Sequence, residues 1–181
     1  MLDLGTTAPD FTLPEPATGN QVSLSTQRGK PLLVVFSCNH CPYVLHIIGA
    51  FVELANGAQR QGLGVFMISA NDVTGYPQDG PQPMAEFARK HGFEFPYLYD
   101  ESQQVAKAYR AACTPDFFLF DAQHRLVYRG QFDSSRPGNS APVDGADLRA
   151  AIDAVFAGDS LPGEQIPSVG CNIKWRAGNE A

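Results

Sequence analysis

A mixed α/β fold is what this sequence predicts, on three observations. The apolar run Leu32-Leu33-Val34-Val35-Phe36 reads as a buried strand. After it, Val44, Ile47, Ile48, Phe51, Leu54 and Ala55 recur at the spacing of one helix face, and a second apolar run, Val65-Phe66-Met67-Ile68, follows once Gly62 and Gly64 have bracketed the change. Strand, helix and strand in this order imply a right-handed parallel crossover. Further on, Phe117–Phe120 and Arg125–Tyr128 flank Asp121-Ala122-Gln123-His124 and read as an antiparallel hairpin.

The opening, Gly5 to Pro14, is loop-like with a short extended piece at Phe11 to Leu13. Thr18-Gly19-Asn20 marks a turn, and Val22-Ser23-Leu24 a second short strand. The first core strand covers 31–36 and the helix 42–60, with Pro42 in the first turn, where its missing N–H costs nothing. Asn71 to Pro83, carrying Gly75, Pro77, Gly80, Pro81 and Pro83, is expected to be irregular. It leaves its strand on the same sheet edge as the loop before the long helix, the edge where open α/β sheets bind ligands. Met84 to His91 reads as a helix closed by Gly92, Phe95 to Tyr99 as a strand, and Ser102 to Ala112 as a helix. A polar loop covers Asp133 to Pro142, and Asp144 caps a helix that carries Leu148, Ile152, Val155 and Phe156 and ends at Gly158. Residues 158–181 lack periodicity and read as an irregular tail on one domain spanning 1–181.

The 181 residues, 44% hydrophobic and 18% charged, suffice for one globular domain with a full core. A formal net charge of −6 without a basic cluster argues against nucleic-acid or membrane partners. Met1-Leu2-Asp3-Leu4-Gly5 has neither a basic nor an apolar leader character, so a cytoplasmic location is expected. Four cysteines in such a setting point to catalysis or metal binding rather than a disulfide scaffold.

The chemistry centres on Cys38-Asn39-His40-Cys41-Pro42, at the point where a strand hands over to a helix N-terminus. There the helix dipole and free backbone N–H groups stabilise a thiolate. Cys-x-x-Cys beside a βαβ pattern is the signature of a thioredoxin-like redox site. Cys38, nearer the strand end and expected to be the more exposed, reads as the attacking thiol and Cys41 as the resolving one. His40 adds a positive charge that tunes the thiolate. Thr114-Pro115, just before the strand at Phe117, stands where such a fold places a cis-proline facing the motif, and cis is expected. Cys113 and Cys171 are possible additional redox residues. Cys171 reads as a resolving thiol or, preferred, as a packed tail anchor beside Ile173 and Trp175. The competing reading of the motif is half a zinc site completed from Cys113, Cys171 and His40. No second Cys-x-x-Cys or His-x-x-x-His is present, so neither a metal nor another cofactor is expected. Asn71-Asp72 lines the site or caps a strand end, while His46, Glu53, His91, His124 and Arg136 read as solvated or satisfied groups.

Taken together, Ala8-Pro9-Asp10-Phe11-x-Leu13, the strand, Cys38-Asn39-His40-Cys41-Pro42, Thr114-Pro115 and the Asp121 hairpin resemble the thioredoxin-like superfamily, and most closely its AhpC/TSA (redoxin) branch, over residues 5–157. The tail Pro167 to Trp175 is similar to that of a peroxiredoxin-like subgroup that keeps a Cys-x-x-Cys. The resemblance implies a thioredoxin-like fold with an N-terminal β-extension and a peroxiredoxin-like β/α insertion. It implies either a thiol–disulfide oxidoreductase working through Cys38 and Cys41, or a peroxiredoxin-type thiol peroxidase forming sulfenic acid at Cys41 or Cys38. Substrates would be protein or small disulfides and thiols, or peroxide, with a thioredoxin or glutathione system as reductant. Two departures favour the first. The peroxiredoxin motif Pro-x-x-x-Thr-x-x-Cys would end at Cys41, yet Val34 stands at its proline and Cys38 at its threonine; Pro115 stands where that family places an arginine. A non-catalytic binding module, using the 71–83 loop and the tail, is the third reading.

Overall fold

The computed structural model describes residues 2–179. A short hairpin of β1 (Thr12–Pro14) and β2 (Gln21–Ser23) leads into β3 (Leu32–Ser37), α1 (Pro42–Arg60) and β4 (Gly64–Ser69). Then come α2 (Pro81–His91), β5 (Tyr97–Tyr99), α3 (Gln104–Ala108), β6 (Cys113–Thr114), β7 (Asp116–Phe120), β8 (Leu126–Tyr128), α4 (Ala146–Ala157) and β9 (Cys171–Asn172). The central sheet runs β5-β4-β3-β7-β8. β3 pairs in parallel with β4, as the crossover predicts, and antiparallel with β7, which forms the expected hairpin with β8.

Both faces of the sheet are covered, which is why β3 and β4 read as unbroken apolar runs. Leu33, Val35, Val65 and Met67 pack with α1, α2 and α4 residues such as Phe51, Met84 and Leu148. Their neighbours Leu32, Val34, Phe36, Phe66 and Ile68 point the other way, against Phe11, Leu24, Ala106, Tyr109 and Ile173. Among the described residues no helix is long and apolar enough to cross a membrane.

Several boundaries differ from the sequence reading. α2 begins at Pro81 rather than Met84, because Pro81 and Pro83 fall in the first turn, where no N–H is needed. α3 is half its expected length; Arg110 takes a left-handed conformation (φ +48°) and turns the chain toward β6. β5 starts at Tyr97, after a proline that cannot donate to the ladder. The α4 cap is Gly145, not Asp144, whose carboxylate accepts the Ala146 N–H at 3.0 Å from one residue earlier. Gly145 sits at φ +66° against Phe132 and Leu54, where a Cβ has no room.

The tail carries little regular structure but is tied down. β9 pairs with β6, setting Thr114 opposite Cys171. Ile173 is buried, the Lys174 N–H donates to Asn71 Oδ1 at 2.9 Å, and the Lys174 carbonyl accepts from Asp72 N–H and Gln103 Nε2.

Candidate active site

β3 delivers Cys38 to the sheet edge, and the following turn places Cys41 as the N-cap of α1, with Pro42 next. The Thr114–Pro115 peptide is cis, as expected, and faces both sulfurs. Cys38 Sγ lies 3.5 Å from Thr114 Oγ1, and Cys41 Sγ 3.1 Å from the Thr114 carbonyl oxygen. Cys41 Sγ is also 2.7 Å from Cys171 Sγ. Neither motif cysteine is exposed: Cys38 retains 1% of its surface and Cys41 none. Cys38 is the more exposed of the pair only by that margin, with Thr114 against its sulfur and the tail's Cys171 against that of Cys41.

The two thiols differ in ionisation. Cys41 is held well below its ordinary value, first by hydrogen bonding from the Cys38 thiol and then by Cys171 and the backbone N–H groups of Val44 and Cys171; burial opposes the shift. The Thr114 carbonyl favours its thiol form, but the donors outnumber it. Cys38 is pushed upward by its bond to Cys41, by burial and by the Asp79 carboxylate. The charge of the pair therefore rests on Cys41 rather than on Cys38, against the sequence expectation. The main cause is the hydrogen bond between the two sulfurs; Cys171 and the backbone N–H groups at the start of α1 add to it for Cys41, burial and then Asp79 for Cys38.

That carboxylate is the main residue the sequence reading missed. Asp79 is fully buried, accepts from Asn39 N–H at 2.8 Å and Asn71 Nδ2 at 2.9 Å, and lies 2.7 Å from His40 Nδ1. His40, stacked on Tyr76, thus reaches the thiols paired with an acid rather than as a lone cation. Asn39 accepts from the Tyr97 hydroxyl at 3.0 Å and donates to the Gln78 carbonyl at 2.8 Å. The one signal for Asp79 was its segment, Asn71 to Pro83, which reaches this edge as expected. Asn71 does line the site, linking Asp79 to the tail through Lys174.

Cys113 is buried on the opposite side of β6 from Thr114, with its thiol on the Pro115 carbonyl at 3.4 Å. Burial, and then Asp116, push it up to about 12. Asp116 is itself raised to about 6 by burial, with Oδ2 accepting the Ala112 N–H at 2.9 Å. His46, expected as a bystander, bonds Ser135 Oγ and lines a small cleft with Tyr43, Pro115, Arg136 and Val169. The Arg136 guanidinium is taken up by the Asp133 and Ser135 carbonyls and Gln131. Glu53, His91 and His124 lie away from the thiols; His91 packs on Phe87, and His124 bonds the Gln27 carbonyl.

For a metal, the donor set brought together is Cys38, His40 and Asp79, whose ligand atoms lie within 4.8 Å of one another, not Cys113, Cys171 and His40. Both Asp79 oxygens already accept N–H bonds in this arrangement.

Similar proteins carry the same two activities that the motif suggests. Thiol-disulfide oxidoreductase ResA of Geobacillus kaustophilus is 30% identical over 119 residues, covering 65% of this chain and 63% of its own length. Peroxiredoxin Bcp of Escherichia coli K12 is 29% identical over 129 residues, 70% of this chain and 78% of its own. Among solved structures, a hypothetical protein of Sinorhizobium meliloti 1021 is 49% identical, with a TM-score of 0.94, over 98% of this chain and 97% of that one. The thioredoxin domain of a thiol-disulfide oxidoreductase from Bacteroides vulgatus shares the fold at 18% identity, with a TM-score of 0.64 over 84% of this chain and 99% of that one. The fold is thioredoxin-like. The AhpC/TSA family pattern matches residues 4–129, which take in the β1–β2 hairpin, the dithiol motif, the cis-proline and all five strands of the central sheet. This chain belongs to the AhpC/TSA family.

Proposed function

We propose that the protein is a thiol–disulfide oxidoreductase whose Cys38 and Cys41 cycle between dithiol and disulfide. One observation carries the reading: two adjacent sulfurs with opposed ionisation stand at a helix N-terminus against Thr114–Pro115. The Cys41 thiolate attacks a substrate disulfide and expels one substrate sulfur, which leaves as the thiolate and takes a proton. Cys38 loses its proton and attacks Cys41 in the mixed disulfide; the second substrate thiol departs, leaving Cys38–Cys41 oxidised. Asp79 holds His40 and the Asn39 backbone and so fixes the turn that carries both thiols. The substrates are protein or small disulfides, and a thioredoxin or glutathione system in the cytoplasm returns the pair to the dithiol.

The test is insulin disulfide reduction with a dithiol reductant. Wild type is expected to accelerate it and Cys38→Ser and Cys41→Ser to lose the acceleration; equal rates in wild type and Cys38→Ser would remove the proposal.

Peroxidase chemistry is the second reading, favoured by a thiolate on Cys41, the position where the peroxiredoxin motif would end. Against it stand Pro115 at the arginine position and an Arg136 already committed to carbonyls. Peroxide consumption by the reduced protein no faster than that of a free thiol would exclude it.

A further inference from the structure

Cys171 is one of two cysteines that the dithiol cycle leaves unused, and its sulfur lies 2.7 Å from Cys41 Sγ. Its position is built from both sides. Upstream, Gln131 N–H donates to the Ile166 carbonyl and Ser168 Oγ to the Gly130 carbonyl, each at 2.8 Å. Downstream, Lys174 is held by Asn71, Asp72 and Gln103. Between these ties, Gly170 lies so close to the Thr114–Pro115 peptide that a Cβ would collide with the Thr114 carbonyl. Thr114 and Cys171 are paired residues of a two-stranded sheet, so the tail crosses the cis-proline as an extended peptide and presents a thiol to the motif. The glycine lets the tail come this close, and packing alone would not need a sulfur at the next position. Cys171 is also the one cysteine of the three that keeps exposed surface.

We propose that Cys171 is a third member of the redox centre, the tail acting as a built-in substrate that receives the Cys38–Cys41 disulfide as a Cys41–Cys171 disulfide. The proposal rests on the dithiol reading, because that disulfide is its starting point. The Cys171 thiolate attacks Cys41 Sγ and the Cys41–Cys171 bond forms. The Cys38–Cys41 bond breaks, and its electron pair leaves on Cys38, which takes up the proton lost by Cys171. One disulfide becomes another without an external oxidant. An outside thiol reductant then meets the oxidised centre at Cys171, attacks it and frees Cys41 as the thiolate.

The electrostatics time this step. In the reduced protein Cys171 is raised to about 11 by burial, then by its hydrogen bond to Cys41 and the Cys41 charge. Oxidation of Cys41 removes the last two causes, while Lys174 and the Tyr43 N–H at the start of α1 continue to favour the thiolate. Cys171 becomes a nucleophile when there is a disulfide for it to attack.

The experiment oxidises the reduced wild type and Cys38→Ser with one equivalent of diamide, quenches in acid, blocks free thiols and maps disulfide peptides without reduction. The expected result is a Cys41–Cys171 peptide beside the Cys38–Cys41 peptide in wild type, and Cys41–Cys171 in most molecules of Cys38→Ser, with Cys113 blocked in both. Recovery of Cys171 as a fully blocked thiol in both proteins overturns the proposal, and so does its pairing with Cys113. Should Cys38→Ser fail to fold, the wild-type map alone decides. Insulin turnover by a wild type whose Cys171 stays free overturns this inference and leaves the dithiol reading standing. A Cys41–Cys171 link in a protein inactive on insulin overturns the dithiol reading instead.

Discussion

Cys38 and Cys41 share a motif but not an ionisation: their mutual hydrogen bond sets the charge on Cys41, helped there by Cys171 and backbone N–H groups at the start of α1 and opposed at Cys38 by burial and Asp79. A lowered thiol keeps its charge as pH falls. The 240 nm thiolate absorbance of the reduced wild type is therefore expected to persist well below the ordinary thiol range and to vanish in Cys41→Ser; titration only near the ordinary value of about 8.5 would contradict it. Asp79 accepts two N–H bonds and is fully buried. Asp79→Ala strands the Asn39 N–H and Asn71 Nδ2, and a loss of more than about 2 kcal/mol is expected in urea unfolding. Asp116 works in the other direction. Its folded value of about 6 lies above the ordinary 3.8, so the folded state binds the proton more tightly. That contribution is full below about pH 4 and is lost as pH rises to about 6, a change on the order of 3 kcal/mol. Asp116→Asn, which cannot ionise, is expected to flatten this part of the stability–pH curve; an unchanged curve would contradict the assignment.

At the scale of elements, α1 and the tail divide the work of the site. α1 supplies the N-terminal dipole, and β9 lays Cys171 across Thr114. Gly170→Ala places a methyl against the Thr114 carbonyl and is expected to lift the tail while replacing no cysteine. Iodoacetamide labelling of Cys41, followed by mass spectrometry, should then accelerate by roughly tenfold or more, since a local opening replaces a closed state; an unchanged rate would show that the tail does not cover the site. The strands and long helices of this arrangement were legible in the sequence because their apolar periods are strong, as at Leu32–Phe36 and Val44–Ala55. The docked tail was not. Its anchors, the Lys174 backbone on Asn71 and Asp72 and on Gln103, join residues about 70 to 100 positions apart and leave no local pattern. α2 began three residues early for a similar reason: prolines that look like breakers are neutral in a first turn.

Over the whole molecule, the double-faced sheet brings one edge to a point where the dithiol loop, the 71–83 segment, the cis-proline and the tail meet. Sheet geometry made the first three legible together, since parallel β3 and β4 end on one edge. What stayed hidden was the identity of the charge at that edge. Asp79 is a single acid in a Gly- and Pro-rich stretch, and nothing in its neighbours distinguishes it from a solvated loop residue. The same limit explains why the sequence favoured Cys38 as the charged sulfur: the motif gives spacing, whereas the ionisation depends first on which sulfur donates to the other. A reversible dithiol in the Cys38-x-x-Cys41 motif is the centre of the proposed function, and its most direct test is a redox equilibration. Wild type, Cys38→Ser and Cys41→Ser are equilibrated across a series of reduced-to-oxidised glutathione ratios, quenched in acid, blocked and weighed by intact mass. The predicted result is a reversible two-electron transition in wild type with two thiols lost together, absent from Cys41→Ser. Thiols that remain reduced across the series, or that yield only stable glutathione adducts, would contradict it.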